Sequence, residues 1–494
     1  MLSVEQWPTG ELPWDKYPEA WHLVAGSFEH AAARLLLTAD ERRAIDQLRD
    51  ELLAAQRASA KDPPFDPTRL LLEKSAGLER ALDRLVAAGR IATLLFAFLL
   101  CLAASELASA WSSPRFGWIA GLSIGLAPAT AHYAATLNTD VPALAWLALA
   151  WALAANGAHG RRRATFLACG AAMGLAAATK DPIAAALPGV LWSALARRRD
   201  DAIPRGVRLA AIAAGAATTY VATSGLLNGW GATWRDHVAQ LFGAGSEPFR
   251  EFPTTLAGAL GLLRATGDRL LAAGGLVGTG GLLLLLVTVA LRRRWRALAL
   301  LLPALCYVAL FLLPIGYVYP RFTLPLCLSG AVAMAWSLAH LAGPGGRARR
   351  VWIGGLVALW SLGEASGVVW AKRSDARPKA LAALTARRAP PDEVWVCAEP
   401  WFHAIFPPIA PPRRFLTLRE VALALKRGEA RPRFLWLAVD RREPFGAQEG
   451  LEKIAQQIGM RLVGRFETET SSPLVADRNG LLLPTVALFE SEPR

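Results

Sequence analysis

The residues that could carry chemistry form four short polar groups along the chain. They are Asp15-Lys16-Tyr17, Asp140 in TLNTD, Lys180 in AATKDP and Arg321 in YPRF. The last three groups lie where an apolar segment begins or ends, a place where charge is costly unless it serves a purpose. Lysine and arginine can stabilise a phosphate leaving group, while a carboxylate can take a proton from an attacking hydroxyl. Together the groups predict group transfer from a lipid-linked phosphate.

Each group also has a purely structural interpretation. Thr139 or Asp140 could cap the helix that follows. Lys180 could form a local ion pair with Asp181 in a turn, and Arg321 could extend its guanidinium towards the membrane surface. The segment around Asp15 contains many turn-forming residues and could be a plain loop. The sequence alone leaves these alternatives open.

Other familiar catalytic patterns are absent from the sequence. The seven histidines include no HExxH pattern, the serines include no GxSxG elbow, and the five cysteines include no CxxC pair. The run GGLVGTGG at 274–281 follows no predicted strand and lies inside an apolar segment. It therefore indicates close helix packing rather than a phosphate loop.

The composition indicates the class of protein that must position these residues. The 494 residues are 53% hydrophobic and 19% charged, and their mean hydropathy is +0.30. These values exclude a disordered chain, a disulfide scaffold and an ordinary soluble enzyme, and they favour a polytopic membrane protein. Basic loops of a membrane protein explain the net charge of +14, so no nucleic-acid partner is expected.

Ten segments are apolar enough to be predicted as transmembrane helices. They are 90–111, 117–135, 139–156, 164–179, 182–196, 207–226, 270–291, 297–317, 322–342 and 350–371. Several contain glycines four residues apart, which let helix backbones approach closely in lipid. These are Gly117/Gly121/Gly125, Gly170/Gly174 and Gly274/Gly278.

The loops between these segments differ in their arginine content. One alternate set holds sixteen arginines, whereas the other set, which includes the longest loop, holds six basic residues. The arginine-rich set is predicted to be cytoplasmic. Residues 1–88, the loop 227–269 and the tail 372–494 are then expected outside the cytoplasm.

We expect three domains, which are an extracytoplasmic loop at 1–88, a transmembrane domain at 89–371 and an extracytoplasmic α/β domain at 372–494. The first contains a capping box, Thr38 with Glu41, and an amphipathic helix at 69–88. The tail alternates β-rich runs with helical patterns, which is typical of a small α/β domain. The runs are 393–398, 433–439, 461–467 and 481–490, and the helices are 375–388, 417–427 and 448–459.

Five short motifs occur in a recognisable order. They are KYP, GRIATLLFAFLL, TLNTD, AATKDP and YPRFTLP. In this order they resemble the GT-C membrane glycosyltransferases, and most closely the protein-mannosyltransferase and aminoarabinose-transferase group. The resemblance covers roughly 10–26 and 85–345.

The resemblance implies an inverting enzyme of the bacterial plasma membrane. It would move a sugar from a polyprenyl-phosphate carrier to an extracytoplasmic acceptor, which could be a lipid, a glycan or a protein. The matching motifs assign catalytic roles to Asp15 and Asp140. They assign substrate binding to Lys16, Tyr17, Lys180 and Arg321, and we expect Lys16, Asp140, Lys180 and Arg321 to face one cavity. No cofactor is implied with certainty, and a divalent metal ion stays open.

The family pattern begins with a transmembrane span that is followed by an aspartate, and this sequence does not show them. The acidic residues near its start are Glu5, Glu11 and Asp15, and none has the sequence context of that aspartate. We expect an apolar span and an aspartate upstream of Met1, because nothing else would carry residues 1–88 across the membrane. The alternatives are an inactive truncated paralogue and a non-catalytic binding or assembly protein on the same scaffold. A transporter is disfavoured, because the sequence lacks an inverted repeat and its charges collect at one face.

Overall fold

The computed structural model describes most of the helical part of the chain and part of its C-terminal region. The described residues are 20–58, 77–136, 138–157, 163–196, 203–224, 250–341, 347–373, 376–387, 393–398, 414–416, 432–439, 459–466 and 485–491. The chain divides into two compact units. One comprises Met1–Ala31 with Val86–Ser366, and the other comprises Ala32–Leu85 with Gly367–Arg494.

Fifteen α-helices follow one another in the described residues. The first nine are α1 (Ala20–Leu36), α2 (Ala39–Ala58), α3 (Glu79–Trp111), α4 (Pro114–Gly125), α5 (Pro128–Ala134), α6 (Asp140–Gly157), α7 (Arg163–Thr179), α8 (Leu187–Leu195) and α9 (Arg205–Thr223). The others are α10 (Leu256–Arg292), α11 (Leu302–Tyr307), α12 (Leu313–Ile315), α13 (Leu324–Leu341), α14 (Arg347–Arg373) and α15 (Ala376–Ala386). Four short helices of other types are Asp181–Ala186, Trp295–Leu301 and Pro320–Thr323, which are 3₁₀, and Val308–Leu312, which is π.

Within the described residues, helices lie in all ten predicted transmembrane segments. Within the described ranges, five are long and apolar enough to cross a membrane, and α7 and Asp181–Leu195 are shorter apolar stretches. The five are Arg80–Trp111, Leu256–Arg292, Trp295–Ile315, Pro320–Leu341 and Trp352–Trp370. The predicted segment 117–135 is two helices rather than one, because Pro128 has no backbone N–H and begins a new helix.

The amphipathic helix predicted at 69–88 is not a separate element where it is described. From Glu79 onwards it continues without a break into the first predicted span, as the single helix α3. Gly89 is the only residue of low helix propensity at the expected junction, and one glycine costs too little to end a helix that packing supports. Residues 69–76 lie outside the described part of the chain.

The spaced glycines bring helix backbones into close contact, as predicted. A Cβ atom added to Gly170 of α7 would overlap the carbonyl of Ile212 in α9, and one added to Gly215 of α9 would overlap the carbonyl of Leu167. Gly121 of α4 packs against the backbone of Cys101 in α3 in the same way. Small residues therefore set the spacing of these helices, as is typical of helix pairs in membranes.

Helix α10 is interrupted within the GGLVGTGG run. Gly275 has φ 63° and ψ −166°, a conformation that side chains disfavour, so the helical hydrogen bonds stop there. The N–H of Leu276 instead donates to Oε1 of Glu364 in α14, at 2.9 Å. Glu364 is buried and supplies the acceptor that the broken helix lacks. The helix-packing interpretation of this run is confirmed, but the break and its acidic partner were not predicted.

The second unit contains the predicted capping box. The backbone N–H of Thr38 donates to Glu41 Oε2 at 2.8 Å, and the N–H of Glu41 donates to the Thr38 hydroxyl at 3.2 Å. The bond from the Thr38 N–H lowers the pKa of the Glu41 carboxyl from its ordinary value. Arg84 adds an ion pair at 3.0 Å, so Glu41 links the start of α2 to the start of α3.

The C-terminal part of this unit contains a five-stranded mixed sheet. Its strands are β1 (Val394–Ala398), β2 (Arg414–Leu416), β3 (Phe434–Val439), β4 (Met460–Phe466) and β5 (Thr485–Ser491), in the order β2-β1-β3-β5-β4. β1 is parallel to β2 and β3, whereas β5 is antiparallel to β3 and β4. Helix α15 packs on this sheet through a core that includes Leu384, Phe434 and Trp436.

The small α/β domain is therefore confirmed as a fold. Four of the strands match predicted runs, and α15 matches the first predicted helix. The short strand β2 was not predicted, because its three residues, RFL, carry too little pattern. The helices predicted at 417–427 and 448–459 lie outside the described residues.

We predict that the glycine contact between α7 and α9 is needed for stability. Gly170→Ala should lower the free energy of unfolding by about 1–3 kcal/mol, because the new methyl group overlaps a backbone carbonyl that cannot turn aside. Chemical denaturation of the detergent-purified protein measures the change. Gly206→Ala in α9 is the matched control, because nothing lies within 4 Å of its added Cβ. Equal stability of the two variants would contradict the prediction.

A second prediction concerns the buried partner of the broken helix. Glu364→Leu should destabilise the protein by about 1–3 kcal/mol, because the Leu276 N–H loses its acceptor in an apolar environment. Glu364→Gln keeps an acceptor oxygen and should lose less. The melting temperatures of the two variants in detergent distinguish them. If Glu364→Gln were less stable than Glu364→Leu, loss of the acceptor for the Leu276 N–H would not be the cause of the destabilisation.

Candidate active site

Asp140 is the first residue of α6, and its carboxylate is available for contacts outside its own helix. The side chain of Asn138, two residues earlier, accepts a hydrogen bond from the Asp140 backbone N–H at 2.6 Å. Asn138 therefore does the capping that the sequence had allowed for Asp140. The Asp140 side chain is only 6% exposed, so its charge is removed from bulk solvent.

Lys180 lies between α7 and the short helix Asp181–Ala186. Its backbone N–H donates to the carbonyl of Ala176, and its own carbonyl accepts from the N–H of Ile183, so it links the two helices. Its side chain is 5% exposed, and Nζ donates to Oδ1 of Asp140. The ion pair thus joins two elements that lie 40 residues apart in the chain. The sequence had suggested a local pair with Asp181 as the alternative.

Burying this pair is costly unless both charges are compensated. Two opposite charges lose hydration free energy when they are buried. Their attraction offsets this loss only when the geometry and additional hydrogen bonds are favourable. Here one carboxylate oxygen, Asp140 Oδ2, is buried and has no hydrogen-bond partner among the described residues. Such an atom is an acceptor that a substrate hydroxyl could use.

Arg321 lies in the short helix Pro320–Thr323, which leads into α13. Its guanidinium carbon is 5.6 Å from the ring centre of Tyr319 and 5.5 Å from that of Phe322. The Nζ atom of Lys180 is 5.6 Å from the centre of the same Phe322 ring. Two cations therefore contact one aromatic side chain, which brings Lys180 and Arg321 together.

Aromatic rings surround this point. Tyr317, Tyr319 and Phe322 contact one another with ring centres 5.4–5.8 Å apart, and Phe311 contacts Phe322 at 5.4 Å. Thr323 holds the end of the segment, since its hydroxyl donates to the carbonyl of Pro320 at 2.8 Å. Phe322 is buried, and charges beside buried apolar groups act more strongly on a bound group than they would in water.

The structure therefore brings three of the predicted residues together, namely Asp140, Lys180 and Arg321. This group carries two positive charges and one negative charge, a balance that favours an anionic ligand such as a phosphate. Asp15, Lys16 and Tyr17 lie outside the described residues, so their shared cavity with Asp140 stays a prediction. The described part of the chain holds no cluster of three or more histidine, cysteine or acidic residues that could bind a metal.

Three residues that matter here were missed at the sequence level. Asn138 and Phe322 belong to the TLNTD and YPRF motifs and could have been found by asking what supports the charged residues. Arg250 contacts the turn before Tyr317. It lies in a loop of ordinary composition, and nothing in its neighbouring residues indicates this contact.

The fold and this site define a class, which is a helical membrane protein with a buried acid–lysine pair beside a second cation. No protein-family profile matches the chain, and no curated protein matches it. Among solved structures, ArnT from Cupriavidus metallidurans in the apo state is similar over 96% of this chain and 98% of its own, with 15% identity and a TM-score of 0.46. The same enzyme bound to undecaprenyl phosphate gives 13% identity, a TM-score of 0.40 and the same coverage.

ArnT is an aminoarabinose transferase of the GT-C superfamily, the kind of protein that the sequence motifs resemble. At these identities and TM-scores, the similarity assigns no activity to this chain.

We predict that the Asp140–Lys180 pair is a stability element whose two halves depend on each other. Lys180→Met should destabilise the protein by about 3–5 kcal/mol, because it leaves the carboxylate buried without its cation. Adding Asp140→Asn to that variant should restore a large part of the loss. Unfolding in detergent measures these changes, with the exposed Arg163→Met as the control for loss of one charge. Additive effects of the two substitutions would contradict a direct pair.

Proposed function

We propose that this chain is a membrane glycosyltransferase that moves a sugar from a polyprenyl-phosphate carrier to an acceptor hydroxyl. The observation that supports the proposal most directly is the buried Asp140–Lys180 pair with Arg321 beside it around Phe322. Cations held in a water-poor site stabilise phosphate oxygens, and a nearby carboxylate oxygen can accept a proton. The order of the sequence motifs is the second, independent support.

In the proposed reaction, the bond between the anomeric carbon of the sugar and the phosphate oxygen breaks. The bonding electrons leave with that oxygen, whose charge Lys180 and Arg321 stabilise. The acceptor oxygen forms the new bond on the opposite face of the carbon, so the configuration inverts. The hydroxyl proton passes to a carboxylate, for which Asp140 Oδ2 is the candidate, since it is unpartnered among the described residues.

The resemblance supplies the remaining assignments of this proposal. Lys16 and Tyr17 would bind the same carrier phosphate, and Asp15 would be a second acid near it. The arginine distribution supports a reaction at the outer face of the membrane, with residues 372–494 outside the cytoplasm, and the resemblance implies a bacterial plasma membrane. The acceptor is a lipid, a glycan or a protein, and the surrounding partners are membrane lipids.

The second candidate function is binding of the carrier without transfer, as in an inactive paralogue or an assembly protein. One observation favours it, because the Asp140 carboxylate already accepts from Lys180. A carboxylate oxygen that already accepts a hydrogen bond from a lysine is less available to a substrate hydroxyl. Binding and transfer therefore need separate measurements.

The experiment uses the full chain in nanodiscs, with undecaprenyl phosphate as the binding probe and a panel of labelled undecaprenyl-phosphate sugars as donors. Binding is followed by native mass spectrometry, and transfer is followed by release of undecaprenyl phosphate. Binding together with transfer supports the enzyme, and binding alone supports the second candidate. Absence of both in the wild-type chain would overturn the proposal.

We predict that Arg321→Ala weakens binding of undecaprenyl phosphate about 10- to 100-fold, because it removes a charged donor to the phosphate. Arg321→Lys should retain part of the affinity, since it keeps the charge but loses the planar fork. The melting temperature should change little, because Arg321 is half-buried and is not part of the apolar core. Parallel losses of binding and of stability would indicate a structural role instead.

A further inference from the structure

The aromatic segment of the site begins at a sharp turn. Helix α12 ends at Gly316, which has φ 71° and ψ 23°, a left-handed conformation that suits glycine. The N–H of Gly316 donates to the carbonyl of Leu312 at 3.1 Å, which closes the helix. Tyr317 follows directly, so the direction in which the chain leaves this turn decides where the aromatic side chains lie.

Three residues from a distant part of the chain, Arg250–Phe252, form hydrogen bonds to this turn. Nη2 of Arg250 donates to the carbonyl of Pro314 at 2.7 Å, across 64 residues of chain. The backbone N–H groups of Glu251 and Phe252 both donate to the carbonyl of Gly316, at 3.1 and 2.9 Å. Three hydrogen bonds therefore fix a turn that the helix itself leaves with unpaired carbonyls.

Arg250 and Gly316 also fit each other sterically. A Cβ atom added to Gly316 would lie 2.6 Å from Nη1 of Arg250 and 2.9 Å from the carbonyl oxygen of Phe252. Any side chain at position 316 would therefore push the guanidinium away. Substitution of either residue should disturb the same contact.

The turn is connected to the cations through the rings. Tyr317 contacts Tyr319 and Phe322, with ring centres 5.4 and 5.8 Å apart. Phe322 in turn lies beside both Lys180 and Arg321. A rotation of the chain at Gly316 would therefore move the ring against which both cations are placed.

We propose that Arg250 is a positioning residue for this site, which sets the affinity for a phosphate ligand by fixing the Gly316 turn. It acts through the rings of Tyr317 and Phe322 rather than by contact with the reacting atoms. The inference rests on the proposed function for its ligand, a polyprenyl phosphate. The dependence of the Lys180 environment on Arg250 does not rest on the proposed function, because it follows from the contacts around the Gly316 turn.

The first test measures binding of undecaprenyl phosphate to the full chain in nanodiscs. Arg250→Ala and Gly316→Ala should each raise the dissociation constant about tenfold. The double variant should lose less binding free energy than the sum of the two single losses, because both substitutions act on the contact between Arg250 and Gly316. Arg250→Lys should fall between the wild type and the alanine variant, since it retains one donor. Arg264→Ala, an exposed arginine of α10, is the matched control and should bind like the wild type.

The second test does not depend on the ligand. Lys180 is buried, so an amine-reactive reagent should label it slowly, and mass spectrometry of its peptide gives the rate. Arg250→Ala and Gly316→Ala should raise this rate several-fold, whereas Arg264→Ala should leave it unchanged. Melting temperatures identify any variant that fails to fold, in which case Arg250→Lys carries the comparison.

The outcomes separate the two proposals. Unchanged Lys180 labelling in the Arg250 and Gly316 variants overturns the positioning role, whatever the binding result. Additive losses of affinity in the double variant overturn it as well. If the wild-type chain binds no undecaprenyl phosphate, the proposed function fails, and the labelling rates alone decide whether Arg250 positions the site.

Discussion

The buried ion pair between Asp140 and Lys180 is the constraint on which the rest of the helical unit depends. Two charges are stable in such surroundings only if the elements that carry them cannot separate. Helix α6 carries the acid, and the end of α7 carries the lysine, so their packing must be close and rigid. The glycine contacts between α7 and α9 serve this need, because they hold α7 at a short distance from its other neighbour.

The irregular backbone of this unit obeys the same physical rule. A membrane provides no water for unpaired backbone groups, so each break in a helix needs a partner from elsewhere in the protein. At Gly275 the partner is the carboxylate of Glu364, and at the Gly316 turn it is the guanidinium of Arg250. The helix that is broken at Gly275 contacts the helix of Arg321, and the Gly316 turn precedes that helix in the chain. Glu364 and Arg250 therefore supply the hydrogen-bond partners that the interrupted helices lack.

The chemistry of the site follows from the arrangement of charge around an aromatic group. Lys180, which is paired with Asp140, and Arg321 lie 5.6 and 5.5 Å from the centre of the same Phe322 ring. The electron-rich face of an aromatic ring attracts a cation that lies near it. Two cations and one carboxylate leave a net positive charge, so the site favours an anionic ligand over a neutral one.

The sequence by itself determined the helical segments, the glycine contacts and the residue types of the site. These features are local, because hydrophobicity, small side chains and capping patterns act within a few residues of one another. It also indicated Asp140, Lys180 and Arg321, since charge stands out in apolar surroundings. Only the tertiary structure decided that Lys180 pairs with the distant Asp140, and that Arg250 and Glu364 form hydrogen bonds to distant breaks in helices. Those partners are separated by 40, 64 and 88 residues. Contacts over such distances depend on how the helices pack, and no local pattern in the sequence encodes them.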